Sequence, residues 1–192
     1  MNYLAHLYLS GKGNKELLVG NFIADEVKGN KYKSYSQGIQ QGIFLHRKID
    51  EFADKHPVFN HSKKRLYSVY HHYAGVVNDI FYDHFLAKDW NVYSDIPLNK
   101  FSVYCYKTLL SHWFHLPHSV RQYLPFIVLH RRLTAYASIE GIEESIRILS
   151  KYSSLPNHSE QAIHILTAEY EEYRKEFHQF FPEVMTFCGK GS

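Results

Sequence analysis

Two helical segments carry the chemistry available to this sequence. Along residues 39–54, an advance of about 100° per residue gathers Ile39, Ile43, His46, Asp50 and Asp54 into one narrow sector. The apolar stripe therefore runs straight into a histidine and two carboxylates. An ionised carboxylate in apolar surroundings costs on the order of several kcal/mol unless it is paired or bound to metal. The pattern recurs at Asp79 and Asp83, four apart and flanked by Val76, Ile80 and Leu86, with His84 next in line. A histidine or aspartate one turn from another aspartate can converge with it on one cation. Oxygen-rich ligation with some imidazole suits Mn²⁺ or Mg²⁺, and Fe and Zn²⁺ are also compatible. For a single pair, a salt-bridge network with Arg47, Lys48 or Arg65 is the simpler account. Two pairs that each merge into an apolar stripe favour metal.

A third segment, Gly20-Asn21-Phe22-Ile23-Ala24-Asp25, puts Asp25 on an otherwise apolar helix, as a further ligand, a general base or a partner of Lys28. His6, inside Leu4-Ala5-His6-Leu7, is either another ligand or a hydrogen-bonded core histidine.

The elements that must position these residues read as helices nearly throughout, so the expected class is all-α, a helical bundle forming one domain over residues 1–192. Asn14 caps a helix running to Val27 and ended by Gly29-Asn30. Ser34 or Ser36 starts a second, stopped at His56-Pro57. Asn60 or Ser62 precedes a long third helix reaching about Lys88, and Pro97 opens a fourth that reaches about His112. Further helices are expected over Ser119 to Tyr136, perturbed by Pro125, over Ile139 to Tyr152, and over Ser159 to Phe180.

Composition sets the outer bounds. The chain has 192 residues, enough for a continuous core, and 45% hydrophobic against 21% charged residues marks an ordered protein. Its 14 histidines invite a search for ligands without proving one. Cys105 and Cys188 alone cannot build a disulfide framework or a cysteine-rich zinc site, so a reducing cytoplasm is the expected setting. The N-terminus lacks the pattern of a signal peptide, and the apolar run from Leu124 to Leu129 is too short for a membrane span. A net charge of +3 is too mild to indicate nucleic acid, and no nucleic-acid-binding motif is present. Lys28, Lys31, Lys33, Arg47, Lys48, Lys63, Lys64 and Arg65 give the N-terminal third a modestly basic character, which a solvated surface explains as readily as a docking face.

Taken in order, Asn2-Tyr3-Leu4-Ala5-His6-Leu7, the Gly20–Asp25 segment, Gly42-Ile43-Phe44-Leu45-His46-Arg47-Lys48-Ile49-Asp50 with Asp54 and His56-Pro57, and Asp79-Ile80-Phe81-Tyr82-Asp83-His84-Phe85-Leu86 resemble the acyl-carrier-protein phosphodiesterase family. That family is distantly similar to the HD-domain metal phosphohydrolases. The resemblance covers the first half of the chain closely. It implies an HD-domain-like helical fold, a cytoplasmic place in lipid metabolism, and Mn²⁺-dependent hydrolysis of the phosphodiester joining 4′-phosphopantetheine to a carrier-protein serine. Position by position, it implies metal ligation by His46, Asp50, Asp79 and Asp83, with Asp25 and His6 as further ligands. Asp25, His84 and Arg47 are the implied catalytic candidates. Arg47 would hold a phosphate oxygen, and His84 or His6 would protonate the leaving serine alkoxide. One departure is the local order Asp83-His84, the reverse of the pair for which HD domains are named. The implied partner is an acidic acyl carrier protein, steered by the basic residues, with neither nucleic acid nor membrane involved. Two alternatives keep part of this picture: a phosphohydrolase acting on a nucleotide or other small phosphodiester, and a carrier-binding module without catalysis.

Overall fold

A computed structural model describes residues 2–190. Every regular element among them is helical. In chain order these are α1 (Tyr3–Ser10), α2 (Lys15–Ile23), α3 (Gln37–Lys55), α4 (Pro57–Lys64), α5 (Tyr67–Tyr70), α6 (Ala74–Lys88), α7 (Trp90–Tyr93), α8 (Leu98–Ser111), α9 (His118–Leu129), α10 (Arg132–Ala135), α11 (Ile139–Tyr152), α12 (Ser159–Ala168) and α13 (Tyr170–Phe187). The all-α expectation holds. No described helix is long and apolar enough to cross a membrane.

Several expected helices are shorter than their periodicity suggested. The first keeps its Asn14 cap, whose side chain accepts from Leu17 N at 3.0 Å, but α2 ends at Ile23 and the chain tightens into a 3₁₀ turn over Ala24–Glu26. That early ending leaves Asp25 on a turn at the helix end, not on a helix face. The long third helix is instead α4, α5 and α6, because His71 takes φ 47° and the chain makes a 3₁₀ turn over His71–Tyr73. Arg131, also at φ 47°, separates α9 from α10, and the final helix is divided between α12 and α13 at Glu169. No glycine or proline marks these three breaks. Tertiary packing imposes them.

The closest helix pair is α2 with α3, and two glycines make it so. A methyl group on Gly20 would overlap the Ile39 carbonyl oxygen, and one on Gly42 would overlap the Leu17 carbonyl oxygen. Backbone therefore lies directly on backbone at this crossing, bringing the end of α2 within side-chain reach of His46. The wall behind α6 is aromatic: Phe81, Tyr82, Phe85, Tyr173, Phe177, Phe180 and Phe181 are fully buried. Tyr82 packs edge-on against Phe177 and Phe59, and Phe81 edge-on against Tyr173. Edge-to-face contacts of this kind add about 0.5–1.5 kcal/mol each beyond their buried area.

Candidate active site

The α2–α3 crossing holds the candidate centre together. His46 Nδ1 lies 2.8 Å from the Asn21 carbonyl oxygen, which can only accept, so Nδ1 carries the proton and Nε2 faces the cluster. Nε2 lies 3.0 Å from Asp50 Oδ2 and 3.2 Å from Asp25 Oδ1. His6, on α1, places its Nε2 3.1 Å from Asp50 Oδ1, and its ring stacks on that of His46 at 3.8 Å between centroids. Asp50 thus has one oxygen on each imidazole.

Asn21 ties three helices to one point. Its Nδ2 donates to the His6 carbonyl and to Ser10 Oγ, both at 2.8 Å, while its own carbonyl holds His46. Its side chain is fully buried, so those bonds are made away from competing water. The other end of α1 is fixed as firmly. Asn2 Oδ1 accepts from Tyr3 N, and Asp83 accepts from Leu4 N at 2.7 Å and Ala5 N at 3.0 Å. His6 N donates to the Asn2 carbonyl oxygen. The three N–H groups of the first turn, which have no acceptor within the helix, are all satisfied by side chains, and this sets the rotation of α1 that delivers His6.

The electrostatics follow from this arrangement. Burial lowers His6 to about 4, with the neighbouring His46 charge adding to it against the pull of Asp50. Burial would also lower His46, yet hydrogen bonds to Asp25 and Asp50 raise it to about 9. The hydrogen bond from His46 lowers Asp25. Burial would raise Asp50, yet it stands well below the usual carboxylate range, with the hydrogen bonds from His46 and His6 among the interactions that lower it. Two carboxylates sharing one imidazole nitrogen is a geometry that calls for positive charge between them. A divalent cation satisfies it, since one donor atom each from His6, His46 and Asp50 all fall within 4.8 Å of one another. Once a bound metal displaces the Nε2 proton of His46, two imidazole nitrogens and a carboxylate make a donor set suited to Mn²⁺, Fe or Zn²⁺. The Asn21 carbonyl on the far nitrogen of His46 is the outer support that metal-binding histidines usually have.

The cluster lies on the wall of a cavity of about 810 Å³ that also reaches Asp54, Asp79, Tyr123 and Arg132. Burial, reinforced by the charges of Asp50 and Asp54, pushes Asp79 up to about 6. Of the residues singled out from the sequence, the structure brings together His6, Asp25, His46 and Asp50, with Asp79 on the same cavity wall. It does not bring in the other three. Asp83 is turned to the start of α1, as described. His84 is committed elsewhere: Nδ1 donates to the Tyr136 carbonyl at 2.7 Å and Nε2 meets Tyr170 Oη at 2.8 Å, beside a separate cleft of about 360 Å³. Arg47 points off the opposite side of α3, donating to the Val27 carbonyl at 3.0 Å and lying over the rings of Tyr32 and Phe44. Arg65, another basic partner of the salt-bridge alternative, is engaged elsewhere too, with Glu169 and Glu176. Sequence reasoning named Asn21 only as part of the Gly20–Asp25 segment and missed its role, because a buried asparagine that bonds backbone groups of other helices leaves no periodic trace.

Residues 1–184 match the family model described as acyl carrier protein phosphodiesterase. Curated relatives carrying that same name include one from Photorhabdus laumondii, 27% identical over 96% of this chain and 93% of its own length. Another, from Escherichia coli, is 28% identical over 96% of both chains, and one from Yersinia enterocolitica is 27% identical over 97% of this chain and 96% of its own. No solved structure matches significantly. With the match spanning nearly the whole chain, the protein belongs to the acyl carrier protein phosphodiesterase family.

Proposed function

We propose that this protein is a metal-dependent hydrolase that releases 4′-phosphopantetheine from the serine of holo acyl carrier protein, leaving the apo carrier. The observation that carries the reading is the convergence of His6, His46, Asp50 and Asp25 on the wall of a cavity of about 810 Å³, a size suited to a long small-molecule arm. A member of this family with such a site has both the reaction centre and the room for the leaving group.

In this reading His6 Nε2, His46 Nε2 and Asp50 hold the metal, Mn²⁺. When bound, the cation supplies Lewis acidity toward a phosphoryl oxygen and acidifies water. The Asn21 carbonyl keeps the proton of His46 on Nδ1 and its lone pair toward the site. Asp25, exposed at the cavity wall and beside His46, is placed to take a proton from the attacking water. Water adds to phosphorus, the bond from phosphorus to the serine oxygen breaks, and the proton that Asp25 took from the water passes to the departing serine oxygen, which leaves as a hydroxyl. His6, lowered by burial, contributes a lone pair and is not the proton source.

The protein partner is held, in this reading, by opposite charge. Lys28, Lys31, Lys33 and Lys64 are exposed, and Lys63 lines the cavity. An acidic carrier would be steered by them, so turnover at low substrate should fall as salt rises. Both cysteines are free thiols, in keeping with a cytoplasmic setting.

The test is incubation of the purified protein with holo acyl carrier protein, with and without Mn²⁺, read by intact mass. Metal-dependent loss of one 4′-phosphopantetheine is the expected result. A carrier mass unchanged across several divalent metals would overturn the reading.

A further inference from the structure

Arg132 lines the same cavity in a different chemical setting. Its place is built deliberately into the chain. Arg131 at φ 47° turns the backbone into α10, and α11 packs so tightly against it that a methyl on Gly141 would overlap the Ala135 carbonyl oxygen. Arg132 Nη2 then donates to the Gly141 carbonyl at 2.9 Å and to Ser145 Oγ, and Ser145 Oγ donates to the same carbonyl at 2.8 Å. Two other arginines, Arg65 and Arg174, are neutralised by Glu176 and Asp89. Arg132 makes no ion pair among the described residues, and no described residue accepts from its Nε or Nη1. The cavity wall also carries the apolar side chains of Ile127, Ile148 and Leu149 and the ring of Tyr152.

One guanidinium, pinned by neutral oxygens and with donors to spare, suits an oxygen acceptor on an elongated ligand lying in a cavity partly lined by apolar side chains. A phosphate oxygen would also satisfy such donors, so the test uses a ligand without one. A pantetheine arm offers amide carbonyls carried on an aliphatic chain. We propose that Arg132, held by Ser145 and the Gly141 carbonyl, binds an amide carbonyl of the pantetheine arm and is a specificity-determining residue of the cavity. The proposal rests on the carrier-protein reading for the identity of the ligand, and it adds where the arm lies.

The test uses the full chain and two readouts. In calorimetric titration with pantetheine, which lacks the phosphate, the wild-type protein binds. Arg132→Met binds at least about tenfold more weakly, the scale of a lost hydrogen bond from a charged group. Ser145→Ala, a milder change that guards against misfolding of the first variant, weakens binding about threefold. In turnover, the ratio of kcat/KM on holo carrier protein to that on bis(p-nitrophenyl) phosphate falls at least about tenfold in Arg132→Met, mainly through KM. Equal pantetheine binding by wild type and Arg132→Met, or none by the wild type, would overturn the proposal. So would a parallel fall on both substrates accompanied by a lower Tm, since that marks a structural residue. Arg132-dependent pantetheine binding without cleavage of holo carrier would sink the reaction and keep the subsite. Cleavage of holo carrier indifferent to Arg132 would do the reverse.

Discussion

Helices α3 and α6 present the same pattern in sequence and do opposite things with it. Each carries acidic or imidazole groups four apart on an apolar stripe. On α3, His46 and Asp50 stay together, 3.0 Å apart, because the glycine crossing with α2 places acceptors around them and α1 adds a second imidazole. On α6 the groups disperse. Asp79 faces the cavity, Asp83 accepts from the start of α1, and His84 joins Tyr136 and Tyr170 on the far side. Spacing of four places two side chains on one face of a helix, but the neighbouring elements decide whether they share a task. Helix α6 sits centrally, with α1 on one side and the α11 and α13 wall on others, so each of its polar groups answers to a different neighbour.

The largest expected effects would break α3 and spare α6. Asp50→Ala or His46→Ala should abolish metal retention, read by elemental analysis of the purified protein, and reduce holo-carrier turnover by about 1,000-fold or more. His84→Ala should retain bound metal and most turnover while lowering Tm, since a buried hydrogen bond to the Tyr136 carbonyl and a partly buried one to Tyr170 are lost. Equal losses from the two helices would erase the distinction. Next in size is Asn21→Ala. Removing the two bonds from its side chain loosens α1 against α2, and an outer-support change of this kind should lower metal affinity about 10- to 100-fold in a titration with Mn²⁺. Unchanged affinity would mean that the backbone carbonyl of residue 21 is sufficient by itself.

How much of this was legible beforehand depended on whether the cause was local. The helical class, the Asn14 cap and the stop at His56-Pro57 follow from periodicity and capping chemistry, and they are found where expected. The His46–Asp50 pair was visible because both partners lie on one helix. Its contacts with His6 and Asp25 come from other helices, and no single-element pattern announces them. The breaks at His71 and Arg131 were hidden for a related reason: neither residue favours positive φ, so the conformation is imposed by packing around it. Asp83 shows the deeper limit. A buried aspartate on an apolar face does demand a partner, as the sequence argument held, but that argument pointed to metal. The donors turned out to be two backbone N–H groups 79 and 78 residues away in the chain.

That role for Asp83 gives a stability prediction. Asp83→Asn leaves one of the two N–H groups without an acceptor and should cost about 1–3 kcal/mol in urea unfolding near pH 8. The pH dependence sharpens it. Burial raises Asp83 to about 7, against an unfolded value of about 3.9, so the folded state holds the proton more tightly. Its contribution is fully present below the unfolded value and is lost as pH rises through about 7. The wild type should therefore lose stability relative to Asp83→Asn between pH 4 and pH 8. A constant difference across that range would assign Asp83 a permanent charge.

The smallest expected effect is the most pointed test of the two faces of α3. Arg47 follows His46 immediately, yet its guanidinium reaches the Val27 carbonyl and two aromatic rings on the side away from the cavity. An exposed cation over an aromatic ring is worth about 0.5–1 kcal/mol, and one bond to a neutral carbonyl adds about as much. Arg47→Met should lower stability by no more than about 1–2 kcal/mol and leave holo-carrier kcat within about threefold, with metal content unchanged. A loss of two orders of magnitude in kcat at intact stability would mean that Arg47 swings across α3 to meet the phosphate. In that event the α3 face assigned to packing would belong to the site, and the contrast with α6 would lie in mobility, not in which neighbours each helix meets.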